Sequence, residues 1–440
     1  MIPDLRSRFN HDYSPARYPE LLASLEERSG IPVAFRIAET PIFLSRELLE
    51  NIAQSGARLC QRLLARPDHL AAARQAIPAG YRVAAETPHP HFLTADFALV
   101  RDEAGQLSPR LVEMQAFPSV YGFQAQLVAA YREAFSLEST LHTPLGTFLS
   151  GLDEDAYWRL LRQTIVGSHD PETVVLTEVD PLRQKTLPDF NITARRLGIA
   201  IADIATLQPE GSRLTYRNAA GRRIPISRIY NRAIADELIA RRVELHFDLE
   251  RPWDVEWAGH PNWYFLISKF SIPYLCRPDA RAGNPDPALA EPLLGEMVPP
   301  AVFLSEFLAG PGRAQLEAAG VPLPAPSPDA VYSNLLLKPL FSFAGKGIQF
   351  DPTHAQLQAI PPGQRANYLL QQRMTFVPTV ETPFGPTQAE IRILYLWPDG
   401  GQIIPVLPLI RLGRGRMMGV DHNRNVEWVG ASAAFYPVSE

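Results

Sequence analysis

A lysine and a glycine-rich loop between positions 338 and 347 could bind a phosphate group. The segment LLLKPLFSFAGKGI begins as an apolar strand that delivers Lys338 and continues into a loop with Gly345, Lys346 and Gly347. A lysine ammonium is a compact charge for phosphate oxygens, and a loop without bulky side chains lets backbone N–H groups approach them. The segment contains neither a Walker A loop nor a G-x-G-x-x-G motif. The alternative is an ordinary hairpin with a surface lysine.

Three oxygen-bearing side chains in two neighbouring segments could hold a divalent metal ion. TADFALV carries Asp96, and LVEMQAF carries Glu113 and Gln115. If the two stretches pair as strands, Asp96 and Glu113 lie on adjacent strands, and Glu113 and Gln115 share a face. Mg²⁺ is commonly held by one or two carboxylates together with substrate phosphates. The alternative is a solvent-facing polar side of a strand, but the apolar context favours buried carboxylates, which need a partner.

Two further segments could contact other parts of a nucleotide. YLLQQRM is an apolar strand whose Gln371 or Gln372 could hydrogen-bond an adenine base. RLGRGRMMGVDHNRN is rich in arginine and glycine, and Arg411 and Arg414 could steady a transferring phosphoryl group or an acyl-phosphate oxyanion. The alternatives are a strand end without a ligand and a basic surface loop.

The first part of the chain predicts helices followed by a strand pair. Leucines and alanines recur at three-to-four spacing over residues 18–80, with Ser45 as a helix start and Pro67 or Gly80 as stops. HFLTADFALVRD and PRLVEMQAF then predict two strands joined by a turn at 103–106, and a helix is expected over 123–136.

Residues 173–260 alternate as an open α/β unit does. TVVLTEV predicts a buried strand, DFNITARRLGI a helix and AIADIATL a second strand, and SRLTYRNAAGRRIPISRIYNR predicts a hairpin that runs into a last strand. This pattern indicates a Rossmann-like domain. Between 278 and 328 there are 11 prolines, which indicates loops around short helices such as AVFLSEFLAG.

Strands are expected again beyond residue 331. They are YSNLLLKPL, KGIQFDP, YLLQQRM, AEIRILYLW and QIIPVLPLIRL. Arg392 in AEIRILYL and Arg232 in IYNR lie in apolar surroundings, so we expect each to have a carboxylate or phosphate partner.

Composition excludes several classes of protein. The 440 residues suggest two to four structural units, and 47 acidic and 42 basic residues give a net charge of −5 without long single-sign runs. Nucleic acid and an anionic membrane are therefore not expected as partners.

The cysteines bear on the compartment. Cys60 and Cys276 lie far apart, which is typical of a reducing compartment. No apolar run approaches the ~20 residues of a membrane helix, and no secretory signal is visible. We expect a cytoplasmic protein.

In their order along the chain, these stretches resemble the ATP-grasp superfamily, and within it the glutathionylspermidine synthase-like group without an amidase domain. In that group the metal-binding motif precedes the phosphate-binding lysines, as Asp96 and Glu113 precede Lys338 here. The resemblance covers most of residues 85–435. It implies a mixed α+β and α/β architecture, namely an ATP-grasp fold with a Rossmann-like pre-ATP-grasp domain.

The resemblance also implies a ligand set and a domain organisation. Asp96, Glu113 and Gln115 would hold Mg²⁺, and Arg411 and Arg414 would act in catalysis. The implied ATP-binding residues are Lys269 of HPNWYFLISKF, Lys338, Gly345, Lys346, Gly347, Gln371 and Gln372. The implied parts are an N-terminal helical segment (1–80), a metal-binding half of the core (81–165), the pre-ATP-grasp domain (166–260), a lid and phosphate-binding part (261–365) and the C-terminal part of the core (366–440).

The implied activity is an ATP-dependent ligase that joins a small-molecule or peptide carboxylate to an amine through an acyl phosphate. The sequence departs from the group at three places. Gln115 stands for an asparagine, Thr94 stands for a catalytic arginine, and Lys346 stands for an Arg-Glu pair in the lid loop. Two alternatives therefore stay open. One is an ATP-binding protein with impaired catalysis and a scaffold or regulatory role, and the other is a small-molecule kinase on the same fold.

Overall fold

Four β-sheets and the helices around them make up the described part of the chain, which is mixed α/β. The computed structural model describes residues 1–102, 104–277, 297–341, 345–416, 418 and 425–438. The α-helices are α1 (Pro3–Asp12), α2 (Arg17–Ser29), α3 (Arg46–Leu64), α4 (Pro67–Gln75), α5 (Tyr121–Phe135), α6 (Leu137–Leu141), α7 (Glu154–Ile165), α8 (Leu187–Leu197), α9 (Ala235–Arg241), α10 (Trp263–Leu266), α11 (Ile272–Cys276), α12 (Leu304–Ala309), α13 (Pro311–Ala318) and α14 (His354–Ala359).

The strands are short except at the centre of the largest sheet. They are β1 (Ile42–Phe43), β2 (Phe92–Arg101), β3 (Leu107–Gln115), β4 (Leu145–Gly146), β5 (Val174–Glu178), β6 (Ala200–Asp203), β7 (Gln208–Glu210), β8 (Arg213–Arg217), β9 (Arg223–Pro225), β10 (Arg228–Asn231), β11 (Glu256–Ala258), β12 (Ala301–Phe303), β13 (Leu335–Pro339), β14 (Gln349–Phe350), β15 (Tyr368–Gln372), β16 (Pro378–Val380), β17 (Thr387–Leu396), β18 (Ile404–Gly413) and β19 (Gly430–Pro437).

The N-terminal helices form where the sequence predicts them. Ser45 caps α3, and its hydroxyl accepts a hydrogen bond from the backbone N–H of Leu48 at 3.3 Å. The predicted stop at Pro67 is confirmed, since α3 ends at Leu64, and Pro67 also opens α4. Proline suits the first turn of a helix, where its missing N–H would have had no partner. No helix in the described ranges is long and apolar enough to span a membrane.

The largest sheet has eight strands, and β2 lies second from one edge, between the edge strand β3 and β17. Alternate side chains of these strands enter different cores. Ala95 and Tyr395 pack on the side of α3, whereas Leu394 packs on the side of α5. Tyr121, the first residue of α5, donates its hydroxyl to the carbonyl oxygens of Leu93 at 2.9 Å and of Tyr395 at 2.8 Å. The two helices thus hold β2 and β17 from opposite faces.

The register of β2 fixes which polar side chains meet. Asp96 lies opposite Glu113 of β3 and opposite Arg392 of β17, and Thr94 lies opposite Gln115. The expected pairing of the two segments is confirmed. By alternation, Asp96 and Arg392 point to the face of the sheet that α5 covers.

The predicted α/β unit contains a parallel sheet with the strand order β11-β10-β5-β6. The predicted hairpin is present but lies in a separate three-stranded sheet, β7-β8-β9. The strand predicted over AIADIATL ends at Asp203, where a 3-10 turn over Ile204–Thr206 begins.

The fourth sheet carries the predicted lysine strand. Its order is β12-β15-β13-β14, all antiparallel, with Lys338 opposite Leu369 and Leu336 opposite Gln371. The helix predicted over AVFLSEFLAG is only partly correct, since Ala301–Phe303 form an edge strand before the helix starts. The preceding proline-rich residues 278–296 lie outside the described residues.

The contact of α3 with the large sheet requires a glycine. A Cβ on Gly56 would lie 2.1 Å from the Tyr395 hydroxyl oxygen, and that hydroxyl donates to the Ala53 carbonyl oxygen at 2.8 Å. We expect Gly56→Ala to lower the free energy of unfolding by about 1–3 kcal/mol, because an extra methyl group in a packed core forces side chains to shift. The urea midpoint of unfolding measures this.

Gly363→Ala is the matched control for this substitution. A Cβ at Gly363 has no atom within 4 Å among the described residues. It should change the urea midpoint little. Equal midpoints for the two variants would show that the helix–sheet contact tolerates a methyl group.

Candidate functional site

A cavity of about 450 Å³ is lined by residues of the large sheet, of the lysine-bearing sheet and of the end of the parallel sheet. Among the described residues its walls carry more basic than acidic side chains. The basic ones are Arg232, Lys269, Lys338, Arg392, Arg411 and Arg416, and the acidic ones are Asp96, Glu113 and Glu390. Such a wall attracts an anion with several negative charges.

Asp96 is almost fully buried at the floor of this cavity. Arg392 donates to both of its oxygens, from Nε to Oδ1 at 2.5 Å and from Nη2 to Oδ2 at 2.6 Å. Arg411 donates from Nη1 to Oδ2 at 3.1 Å, and the same Nη1 donates to Glu390. Arg411, which was expected to act on an anion, and Arg392 are therefore both fixed by carboxylates.

The charges of this network shift one another's pKa values. Burial alone would raise the pKa of the Asp96 carboxyl, but Arg392 and Arg411 outweigh it and hold that pKa below its usual value. Burial raises the pKa of the Glu390 carboxyl despite its contact with Arg411. The pKa of Arg411 is raised, because its burial is outweighed by Asp96 and Glu390. Asp96 is thus ionised in the folded protein.

Glu113 is the more open carboxylate. Lys269 Nζ and Arg392 Nη2 each approach its oxygens only to 3.7 Å, which is longer than a hydrogen bond. Gln115 donates from Nε2 to Glu113 Oε1 at 3.2 Å, and a half-turn of that amide would present its oxygen instead. Both side chains line the cavity.

The oxygen donors of Glu113 and Gln115 fit Mg²⁺, which takes one or two protein ligands when phosphates supply the others. Asp96 fits less well, since both of its oxygens are bonded to guanidinium groups. Within the described ranges, no group of three or more His, Cys, Asp or Glu residues is arranged to hold a metal ion. The set predicted from the sequence contains only two residues of these types, Asp96 and Glu113, because its third member is the amide Gln115.

Lys338 enters the cavity from β13 and bridges the two sheets. Its Nζ donates to Gln371 Oε1 at 2.6 Å and to the Val112 carbonyl oxygen, on β3, at 3.4 Å. Burial lowers the pKa of Lys338 to about 8, and the nearby positive charge of Lys269 lowers it too, although Glu113 opposes both. A bound anion would stabilise the charged form of this lysine.

One end of the cavity is apolar. Its walls there include Leu336 on β13, Ile348, Phe350 on β14, and Phe376. A flat aromatic ring would find apolar surface here, beside the guanidinium of Arg416, which lies 5.7 Å from the Phe350 ring centroid.

The predicted glycine loop contributes in part. Gly345 lines the cavity, and Gly347 has φ of 78° with a virtual Cβ 2.8 Å from Pro339 Cγ, so glycine is required there. Lys346 is exposed in the same turn. Residues 342–344 of this loop lie outside the described residues.

Other residues predicted to act on a ligand have different contacts here. Gln371 is fully buried and accepts from Lys338, and Gln372 lies at the end of β15 beside it. Arg414 donates to Thr382 Oγ1 at 3.0 Å. Gln371, Gln372 and Arg414 do not line the described cavity. Asp421, His422 and Asn423 of the arginine-rich segment lie outside the described residues.

The expectation that two buried arginines have acidic partners is confirmed. Arg392 pairs with Asp96, and Arg232 donates to Asp189 Oδ2 at 2.7 Å. Glu390 was missed, although a signal existed: it lies two residues before Arg392 on β17 and so shares its face. Arg416 was not named either, although it lies in the arginine-rich segment singled out above, two residues after Arg414.

No family model matches the sequence, and no curated protein matches it. Among solved structures, the chain is similar to a glutathione synthetase-like effector from Globodera pallida in its apo form. The TM-score is 0.53 at 10% identity, over 97% of this chain and 98% of that one.

A second solved structure is more distant. It is a protein from Methylobacillus flagellatus assigned as a gamma-glutamylcysteine synthetase, with a TM-score of 0.38 and 14% identity over 86% of this chain and 85% of that one. The similarity to the effector shows a shared fold. The TM-score of the second structure is too low to show one.

Tripolyphosphate should bind this cavity more weakly as the pH rises through about 8, because Lys338 loses its proton there. Binding of the anion should raise the pKa of Lys338 and take up protons from the buffer. Calorimetry on either side of pH 8, in buffers with different ionisation enthalpies, measures this uptake.

The matched variants for the proton uptake are Lys338→Met and Lys185→Met. Lys185 is exposed and does not line the described cavity. The first variant should lose the uptake and the second should keep it. If uptake persists in Lys338→Met, the titrating group is another residue.

Proposed function

We propose that this chain is an ATP-dependent ligase that joins a carboxylate to an amine through an acyl phosphate. The observation that carries the proposal is the single cavity that gathers Lys269, Lys338 and Arg411 around Glu113, with an apolar end at Leu336 and Phe350. These residues were singled out separately along the sequence, except the two apolar ones. Their convergence is what an ATP site requires.

ATP matches the two ends of the cavity. Its adenine would pack against the apolar end between Leu336, Ile348 and Phe350, and its triphosphate would extend toward Lys338 and Lys269. The Gly345 turn would add backbone N–H donors for phosphate oxygens. The cost of burying two lysines is offset when each meets a phosphate oxygen.

The proposed chemistry has two steps. A substrate carboxylate oxygen attacks the γ-phosphorus of ATP, and the bond from that phosphorus to the bridging oxygen breaks to release ADP. The amine nitrogen then attacks the carbonyl carbon of the acyl phosphate, inorganic phosphate leaves, and the nitrogen loses a proton to solvent. Arg411 and Lys338 would stabilise the negative charge on the transferring group.

Magnesium belongs to this proposal. When bound, it would neutralise phosphate charge and help to orient the γ-phosphate. Glu113 and Gln115 would hold it, since both line the cavity and carry oxygen donors. The chain's own lysines would bind the remaining phosphate oxygens.

The fold supports the ligase reading. The effector that shares it is named as glutathione synthetase-like. We propose that the large sheet and the β12–β15 sheet are the two parts of an ATP-grasp core. The β5–β11 region would then be the Rossmann-like pre-ATP-grasp domain.

An ATP-binding protein without turnover is the second candidate. Thr94 stands where the resembling group carries a catalytic arginine, and it pairs with Gln115 beside the cavity. In addition, of the three cavity carboxylates among the described residues, Asp96 and Glu390 are already bonded to arginines. The site therefore has cationic side chains that could bind ATP, but few unbonded carboxylates and no arginine at position 94 to act in catalysis.

Release of ADP tests the ligase proposal. With Mg-ATP, we expect ADP to form only when both a suitable carboxylate and an amine from a substrate panel are present. Lys338→Met should lower this rate by about a hundredfold or more, because a charge that stabilises the transferring group is lost. Lys185→Met should keep the wild-type rate.

Other results separate the alternatives. ADP formed with a carboxylate or another acceptor but without an amine would indicate a kinase. Tight ATP binding with no ADP across the panel would contradict the ligase and favour the second candidate.

A further inference from the structure

We infer that Asp96 is a positioning residue for Arg392 and Arg411 and not a metal ligand. The inference rests on the proposed function, because it concerns which residues of that site contact Mg²⁺ and which contact the nucleotide's anionic groups. It reverses the role that the sequence pattern gave to Asp96 while keeping that role for Glu113.

The contacts of Asp96 leave little room for a metal ion. An ionised carboxylate has about four acceptor positions. Three N–H groups already occupy them, two from Arg392 at 2.5 and 2.6 Å and one from Arg411 at 3.1 Å. The side chain is 2% exposed, so solvent does not reach the remainder. A magnesium ligand would have to leave a two-point arginine contact, which is among the strongest in proteins.

Glu113 differs from Asp96 at each of these points, although the two face each other across β2 and β3. Its side chain is 18% exposed, and the nearest cationic nitrogens stand 3.7 Å away. Oxygen atoms at that distance from nitrogen can still turn toward a metal ion. The two carboxylates therefore have different roles. Glu113 is accessible from the cavity, whereas the oxygens of Asp96 are occupied by arginine N–H groups.

Asp96 instead orients the guanidinium groups of Arg392 and Arg411. It holds Arg392 at two points, and Ser119 Oγ accepts from Arg392 Nη1 at 3.3 Å. Arg411 is shared between Asp96 and Glu390. Both arginines line the cavity, so their remaining N–H donors are aimed at whatever anion lies in it. Fixing a guanidinium in advance reduces the entropy lost when it binds.

The decisive quantity is the Mg²⁺ response, meaning the ratio of the ATP dissociation constant in EDTA to that in saturating Mg²⁺. Isothermal titration of the full chain with ATP gives both constants. In Asp96→Asn we expect this ratio to stay within about twofold of wild type. In the isosteric control Glu113→Gln we expect it to fall by about tenfold or more, as loss of a group that supports a metal does. A similar fall in Asp96→Asn would overturn the inference.

A second variant tests the inference independently, in case Asp96→Asn does not fold. Arg392→Gln keeps the carboxylate and removes its main partner. We expect weaker ATP binding with an unchanged Mg²⁺ response. If Asp96 were a metal ligand held back by Arg392, the response would increase, and that result would also overturn the inference. A wild-type protein that binds no ATP, or ignores Mg²⁺, would instead contradict the proposed function itself.

Discussion

In the large sheet, the Asp96 carboxylate and the Arg392 guanidinium face each other across two adjacent strands and are buried together. Two charges are tolerated in such a place only when they satisfy each other, and removing one partner of such a pair typically costs about 3–5 kcal/mol. The pair therefore fixes the register of β2 against β17. A slip of β2 by one residue would turn Asp96 toward the apolar core on the side of α3 and away from Arg392.

The same register determines the site. Because Asp96 lies opposite Glu113 on its other side, β3 must present Glu113 and Gln115 to the cavity. Lys338 then reaches the site from a different sheet and donates to the carbonyl oxygen of Val112, next to Glu113. The cavity is thus complete only where the two sheets meet. Its charges come from strands distant in sequence, and a bound polyanion would add a partner for the buried Lys269 and Lys338.

Local pattern was enough for most of the elements. The alternation of TADFALV and LVEMQAF gave both strands, and the capping serine gave the start of α3, because these signals lie within a few residues of one another. The order of the acidic and lysine-bearing segments then indicated one shared site. The large sheet and the lysine-bearing sheet do bring Asp96, Glu113 and Lys338 to one cavity.

The side-chain contacts within the site could not be predicted from the sequence, because they join residues far apart in the chain. Asp96 and Arg392 are 296 positions apart, so nothing near either residue predicts which arginine will occupy that carboxylate. For the same reason Gln371 was expected at a base, whereas its side chain contacts Lys338. The apolar end of the cavity is built from single residues of several strands and has no linear motif.

A crystal structure of the chain with Mg²⁺ and a non-hydrolysable ATP analogue tests the central claim most directly. The account predicts the base against Leu336 and Phe350 and phosphate oxygens within hydrogen-bond distance of Lys269 and Lys338. An analogue found elsewhere, with Lys338 still bonded only to Gln371 and Val112, would contradict it.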